Sequence, residues 1–457
     1  DSRLILRLSS AGNLEKTKAG VLGTIVRMVL WRTWRQTAAP VGRPQRQYSV
    51  VLSNRNHAEK TQGRYLRLFD GLVGHLQLPA VETEHASGIR LRHIILMLPD
   101  LVPGGAQRVF IDLAESLADA GYKTTAIVAY PSRQEWSFSP ATNVIRLSET
   151  EFCFWSALML PMLFFRLRKL LKDENPDAVI STLTGMNLFT ILATDYRLRD
   201  YPVLIREAST MQNTANLIIR SLKKRLYPKA TAIIAVSEGV MNELESCIGL
   251  TRSNLHIINN PVNRARLKAA SKTSVTHKWL KDKSCPVFIS VGRLTEAKDY
   301  STLIRALDLV RQTSPAKLII VGEGPERPAL EHLVYSMKLN DAVDMPGHFD
   351  NPYALMARAD VFVLSSRWEG FVNVLLEALA LGMPIASTDC HSSPREILEN
   401  GKYGYLAPAG NPQKLAESML KALESPPRSE LQESRADDYS PETLFKQYRL
   451  LIDDLSD

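Results

Sequence analysis

Two doubly wound α/β domains in tandem are what this 457-residue sequence predicts. The length exceeds what one hydrophobic core fills. Short apolar runs of strand type alternate with helical patterns, and the alternation occurs twice, on either side of a polar stretch. Such alternation marks a parallel sheet with helices on both faces, burying each strand from two sides. Ligands are then expected at the carboxyl ends of the strands.

The chain opens with a basic extension, residues 1–90, holding fourteen Lys/Arg against six Asp/Glu. The remaining chain holds forty-two of each sign, so the net charge of +8 belongs to the extension. Within it, "GVLGTIVRMVLWRTWRQ" (Gly20–Gln36) gathers Val21, Leu22, Ile25, Val26, Val29 and Leu30 on one half-turn of a helix. A basic amphipathic helix with tryptophans can lie in an anionic membrane interface; packing on the protein body or a targeting role are the alternatives. Residues 37–90 are polar and Arg-rich, and read as a linker. No apolar run is long enough for a transmembrane helix. The basic residues lack interleaved stacking aromatics, which argues against nucleic acid. Cys153, Cys247, Cys285 and Cys390 are scattered, which fits a reducing compartment and argues against a structural zinc.

The first domain, 91–270, is predicted from "RHIILMLP", "KTTAIVAY", "DAVIST", "YPVLIRE", "TAIIAVS" and "LHIINNP". A polar stretch, Arg264–Ser284, reads as the connection. The second domain, 285–435, follows from "PVFISVGR", "AKLIIVGEG", "AVDMPG", "DVFVLSS", "MPIAST" and "GYLAPAG". The last helical pattern, within 436–457, is expected to cross back to the first domain.

Four stretches carry chemistry. In "PDLVPGGAQRVF", Gly104 and Gly105 let backbone amides at a helix start approach an anion, although glycine is also a plain turn device. In "SVGRLTEAKDY", Arg293 and Lys298 follow a strand and could clamp a diphosphate, or be two surface cations. In "IIVGEGPER", Gly322 and Gly324 make a strand–turn, but Gly-x-Gly-x-x-Gly is incomplete and a nicotinamide cofactor is not expected. In "RWEGFVNVLLEALALGMP", Glu369 and Glu377 stand with seven residues between them. Glu377 falls about a turn inside an apolar helix, where an unpartnered carboxylate is expensive. A ribose or sugar diol would satisfy its oxygens, since an ionised carboxylate only accepts hydrogen bonds.

These stretches, with "GYLAPAGN" and "LYPKATAIIAVSEGV", closely resemble the retaining glycosyltransferases of the GT-B family, over roughly residues 92–450. The family, of the family 4 type, includes bacterial polysaccharide and lipid-linked-oligosaccharide transferases. The resemblance implies two Rossmann-like domains facing across a cleft. It implies that Arg293 and Lys298 bind the donor diphosphate, that Glu377 holds the ribose and that Glu369 contacts the donor sugar. Backbone amides of Gly370, Phe371, Asn373 and Val374 would line the sugar and diphosphate, with Gly105 across the cleft. His348 would fall near the base, and Arg206 and Glu207 resemble a segment of members acting on lipid-diphosphate acceptors. The implied partners are a nucleotide-sugar, UDP-linked ahead of GDP-linked, and a glycan or lipid-linked acceptor whose hydroxyl attacks from the face the nucleotide leaves. No metal or cofactor is implied, in keeping with the absence of an Asp-x-Asp motif. The implied location is cytoplasmic, peripheral at the inner face of the membrane.

Two positions depart from the family pattern. Val372 stands where proline is frequent, and "PDAVISTLTGMN" carries Thr182 and Thr184 where many members have histidine. A glycoside hydrolase also uses two carboxylates, but does not call for Arg293 and Lys298. A GT-B nucleotide-sugar epimerase would lack this Glu spacing. An inactive nucleotide-sugar-binding subunit would not need Arg293, Lys298, Glu369 and Glu377 all intact.

Overall fold

The computed structural model describes residues 92–456 except 103, 133–134, 152–155, 195–198 and 211–216. The 1–90 extension with its Gly20–Gln36 segment, and Cys153, lie outside the described residues.

Among the described residues the first domain holds a seven-stranded sheet in the order β3-β2-β1-β4-β5-β6-β7. Its strands are β1 (His93–Leu98), β2 (Lys123–Val128), β3 (Thr142–Arg146), β4 (Ala178–Thr182), β5 (Val203–Glu207), β6 (Ala232–Ala235) and β7 (Leu255–Ile257). Every pairing is parallel. β1, β4 and β5 are buried along their whole length, which is why they read as unbroken apolar runs. The crossovers are α1 (Gly105–Asp119), α2 (Ser156–Glu174), α3 (Thr184–Ala193), α4 (Leu217–Leu226) and α5 (Glu238–Glu243).

β3 is missing from the sequence reading. It is an edge strand paired only with β2 and partly exposed, so "TNVIR" lacks the apolar run that marks a central strand. The stretch Arg264–Ser284 is also more than a connection, for it contains α6 (Arg264–Ser271) and α7 (Lys278–Lys281). Only Leu267 of α6 is buried. The helix is held instead by an Asn263 cap and by Arg264 and Lys268 pairing with Glu433, an association no local pattern reveals.

The second sheet is six-stranded among the described residues, in the order β10-β9-β8-β11-β12-β13, and again parallel. It comprises β8 (Val287–Val291), β9 (Lys317–Val321), β10 (Val343–Gly347), β11 (Val361–Leu364), β12 (Ile385–Thr388) and β13 (Tyr405–Ala407). Between and after them run α8 (Tyr300–Arg311), α9 (Arg327–Ser336), α10 (Tyr353–Met356), α11 (Asn373–Ala380), α12 (Pro394–Ile397), α13 (Pro412–Glu424), α14 (Ser429–Asp437) and α15 (Pro441–Ser456).

One core runs from the first sheet through α11 and the chain's last helix to one face of the second sheet, and a separate core fills the opposite face. α15 buries Leu444, Phe445, Tyr448, Leu451 and Ile452 and lies on α1 of the first domain. Asp453 accepts hydrogen bonds from Arg92 and Tyr122 there. Among the described residues no helix is long and apolar enough to cross a membrane.

Candidate active site

Loops from the carboxyl ends of the two sheets meet. After β5, the Ala208 carbonyl lies where a side chain on Gly370 would begin: a Cβ there would sit 1.9 Å from that oxygen. After β6, Ser237 Oγ donates to the Gly370 carbonyl at 2.9 Å and accepts from Val240 N, capping α5 at the same time. Asn259 and the Glu238 amide donate to Glu396 across the same boundary. Gly370 is thus needed because two backbones touch. Gly370→Ala is expected to cost about 1–3 kcal/mol by forcing the domains apart. An unchanged thermal midpoint would contradict that contact.

The turn after β8 carries both predicted cations. Lys298 Nζ lies 2.6 Å from Glu369 Oε1, and both side chains are largely buried. Glu369 also accepts from Ser366 Oγ at 2.8 Å. The two loops are bolted together by Arg367 on Asp299, by Arg367 N on the Ala297 carbonyl and by Ser365 Oγ on the Lys298 carbonyl. Burial alone would raise the Asp299 carboxyl, but hydrogen bonds from Arg367, Thr302 and Ser301 hold it below the usual range. Asp299 therefore stays charged, and caps α8 from a left-handed backbone (φ 46°). The Arg293 side chain is exposed and makes no hydrogen bond or ion pair among the described residues, its carbonyl alone accepting from the Thr295 amide. A cation free to turn toward a ligand sits beside one already fixed.

α11 begins without a side-chain cap at Val372, so its first amides have no partner inside the helix. The Val372 amide itself donates to Ser393 Oγ at 3.0 Å. A proline at 372 could not make that bond, so hydrogen bonding here fixes a loop that a ring fixes elsewhere. Phe371 is buried against Tyr439. α1 also starts uncapped, at Gly104, and faces α11: a Cβ on Gly105 would lie 2.2 Å from Asn373 Nδ2. Two uncapped helix N-termini from different domains therefore meet across one narrow gap, an arrangement that favours an anion. Val374 is half-buried beside it.

Glu377 lies one turn into α11, half-buried, and accepts from Tyr353 Oη at 3.2 Å. Burial pushes its carboxyl up to about 7, against the pull of Tyr353, Arg266 and Lys298. Lys298 on the cation loop is thus near enough to favour the ionised form of this carboxylate.

Other predicted residues lie apart from that gap. Gly322 and Gly324 pack against the backbone of Gly292 and Leu294, locking the β9 turn onto the β8 turn. His348 is exposed and pairs with Asp350 at 3.4 Å. Arg206 does not reach a surface: it is fully buried, donates to Thr182 Oγ1 and Asn260 Oδ1, and stacks over Phe110. Its neighbour Glu207 is buried too, neutralised by Lys223 at 2.8 Å and hydrogen-bonded by Tyr227 and Thr184. Thr182 and Thr184 thus serve buried polar groups. Cys247, Cys285 and Cys390 are free thiols, and burial pushes Cys390 up to about 12, far from thiolate reactivity.

Ser237, Asn260, Ser392 and Ser393 were not singled out from sequence, yet they hold the site loops. Ser392 adds a bond from Oγ to the Glu369 carbonyl, at φ 123°. Single hydroxyls and amides of this kind have no spacing signature. Only the "AVSEG" and "NNP" context, at strand ends, marks two of them.

Comparisons with known proteins identify the family and the fold. Residues 103–266 match the family described as Glycosyltransferase Family 4, and residues 271–438 match Glycosyl transferases group 1. The chain is 30% identical over 273 residues to N-acetylgalactosamine-N,N'-diacetylbacillosaminyl-diphospho-undecaprenol 4-alpha-N-acetylgalactosaminyltransferase of Campylobacter jejuni, covering 58% of this chain and 72% of that protein. It is 26% identical over 352 residues to the lipopolysaccharide core biosynthesis glycosyltransferase LpsE of Rhizobium meliloti, covering 76% and 92%. Sucrose-phosphate synthase of Thermosynechococcus elongatus shares the fold, with a TM-score of 0.67 and 18% identity over 80% of this chain and 99% of that one. HepE of Anabaena, solved with UDP-glucose, does so at 0.63 and 19%, over 79% and 100%.

Proposed function

The chain belongs to the family 4, group 1 glycosyltransferases of GT-B fold, and from that premise we propose its donor, chemistry and acceptor. It moves a sugar from a nucleotide-sugar, UDP-linked ahead of GDP-linked, to a glycan or lipid-linked acceptor, with retention at the anomeric carbon and without a metal. The observation that carries this reading is the gap between the uncapped starts of α1 and α11, with Lys298 and Arg293 on the adjoining turn. A diphosphate leaving group gains negative charge as the sugar departs. Lys298, held by Glu369, and the helix-start amides stabilise that charge where it forms without reorganising, and Arg293 turns to meet it. Ionised Glu377 accepts from ribose hydroxyls, and Glu369, held by Lys298 and Ser366, contacts the sugar. The names of the Campylobacter and Rhizobium relatives support a role in bacterial glycan assembly.

The test is turnover of labelled UDP- and GDP-sugars with membrane lipid extract in EDTA, with the anomeric configuration of the product read by NMR. Lipid-dependent consumption of one donor and a retained configuration are expected. An inverted product, or activity that EDTA removes, would overturn the mechanism. Donor consumed into a free epimerised nucleotide-sugar would favour the epimerase reading, and binding without turnover the inactive subunit.

A membrane-held acceptor also fits the outer surface of the first domain. Leu160, Met162 and Phe165 of α2 and Leu217 and Ile218 of α4 are exposed, flanked by Arg168, Lys169, Lys172, Lys224 and Arg225. Exposed apolar side chains with cations on the same helices suit an anionic bilayer interface. Flotation of the full chain with phosphatidylglycerol vesicles is expected to drop severalfold in a Phe165→Glu, Ile218→Glu variant. Equal flotation would reject this surface and leave the 1–90 extension as the candidate anchor.

A further inference from the structure

We propose that Arg206 and Asn260 are positioning residues that set the polarity of the Asn373 side chain, turning its NH₂ group toward the donor diphosphate. This rests on the transferase reading above. An amide side chain can present either its oxygen or its nitrogen to a neighbour, and nothing local to α11 decides which. A guanidinium decides it, because it donates and never accepts. Arg206 is fully buried and its Nη2 meets Asn260. The group of Asn260 facing Arg206 must therefore be Oδ1, which leaves Nδ2 on the other side. Asn260 Nδ2 in turn donates to Asn373 Oδ1 at 2.7 Å, from the first domain into the start of α11. The remaining group of Asn373 is Nδ2, and it lies in the gap, against Gly105.

Each link follows from the one before, so a buried charge in one domain fixes a donor at a site shared by both. The result is a gap lined by donors: the amides of α1 and α11 and the Asn373 NH₂ group. A reversed Asn373 would place a carbonyl dipole against the phosphate oxygens. Arg206 Nη1 donates to Thr182, Nη2 to Asn260, and the guanidinium lies over Phe110, while its buried Nε has no partner among the described residues. Glycine at 105 leaves room for the NH₂ group, which any side chain there would displace.

The discriminating variant is Asn260→Asp. A carboxylate still receives Arg206, now as an ion pair, but offers Asn373 only acceptors, so the Asn373 amide must turn over. Donor KM is expected to rise about tenfold with kcat within about threefold, while the thermal midpoint is not lowered. In an Asn373→Ala background, Asn260→Asp should add nothing further. Arg206→Lys remains donor-only and should keep donor KM within about twofold of wild type even where stability falls. An unchanged KM in Asn260→Asp overturns the relay. So does full additivity with Asn373→Ala, or a KM that simply follows the thermal midpoint across these variants. Arg293→Ala is measured in parallel: if it too leaves donor use intact, the transferase site itself is misplaced. If it alone is impaired, only the relay fails.

Discussion

Arg293→Ala is expected to lower kcat by about two to three orders of magnitude, corresponding to roughly 3–4 kcal/mol of lost transition-state stabilisation. The thermal midpoint should not move, because the Arg293 side chain is exposed and has no partner among the described residues. That makes it the cleaner of the two cation variants. Lys298→Ala should lose at least as much activity, but it also strips Glu369 of its 2.6 Å counter-ion in a largely buried setting, so some loss of stability accompanies it. The comparison separates two roles. A cation that only organises the loop would cost stability and activity together, whereas one that meets developing charge costs kcat alone. Retained kcat in Arg293→Ala, measured by nucleoside-diphosphate release, would remove the exposed cation from the mechanism.

Glu377 gives the second large effect, through pH. Its carboxyl is pushed up to about 7, mainly by burial. Below that pH it is protonated and offers a ribose one acceptor fewer. Donor binding favours the ionised form, so donor kcat/KM is expected to rise with pH up to about 7 and then level off. Glu377→Gln should flatten this limb and lower kcat/KM at pH 8 by about a hundredfold. Stability moves the other way. A raised acid binds more protons folded than unfolded, so stability falls as pH climbs from the ordinary carboxylate range through about 7. The full cost is about 3 kcal/mol, an upper figure because Glu377 is only half-buried. Glu377→Gln should therefore melt a few degrees higher than wild type at pH 8 and no higher at pH 5. A variant less stable at both pH values would contradict this sign.

These two residues also show what the sequence made legible. Glu377 stood out because a carboxylate interrupts an apolar helix, and the structure places it one turn inside α11 with Tyr353 as its partner. Arg293 and Lys298 stood out because cations follow a buried strand directly. Twelve of the thirteen strands among the described residues were readable, the central ones because strands buried along their whole length become continuous apolar runs. What stayed hidden depends on tertiary pairing. β3 is a half-exposed edge, α6 is held by ions from α14, and the loop around Glu369 is fastened by Ser237, Ser392 and Ser393 from other elements. Arg206 misled in the opposite sense. Its resemblance to a segment of members acting on lipid-diphosphate acceptors pointed to a substrate contact, but the guanidinium is buried and donates to Thr182 and Asn260.

Calorimetric titration of UDP and GDP into the whole 457-residue chain, in EDTA at low salt, tests the central claim most directly. One of the two nucleotides is expected to bind the wild-type chain, with its affinity reduced about a hundredfold in an Arg293→Ala, Lys298→Ala double variant that still melts cooperatively. Binding of neither nucleotide to the wild-type chain, or equal binding to the double variant, would contradict a diphosphate site between the β8 turn and the start of α11.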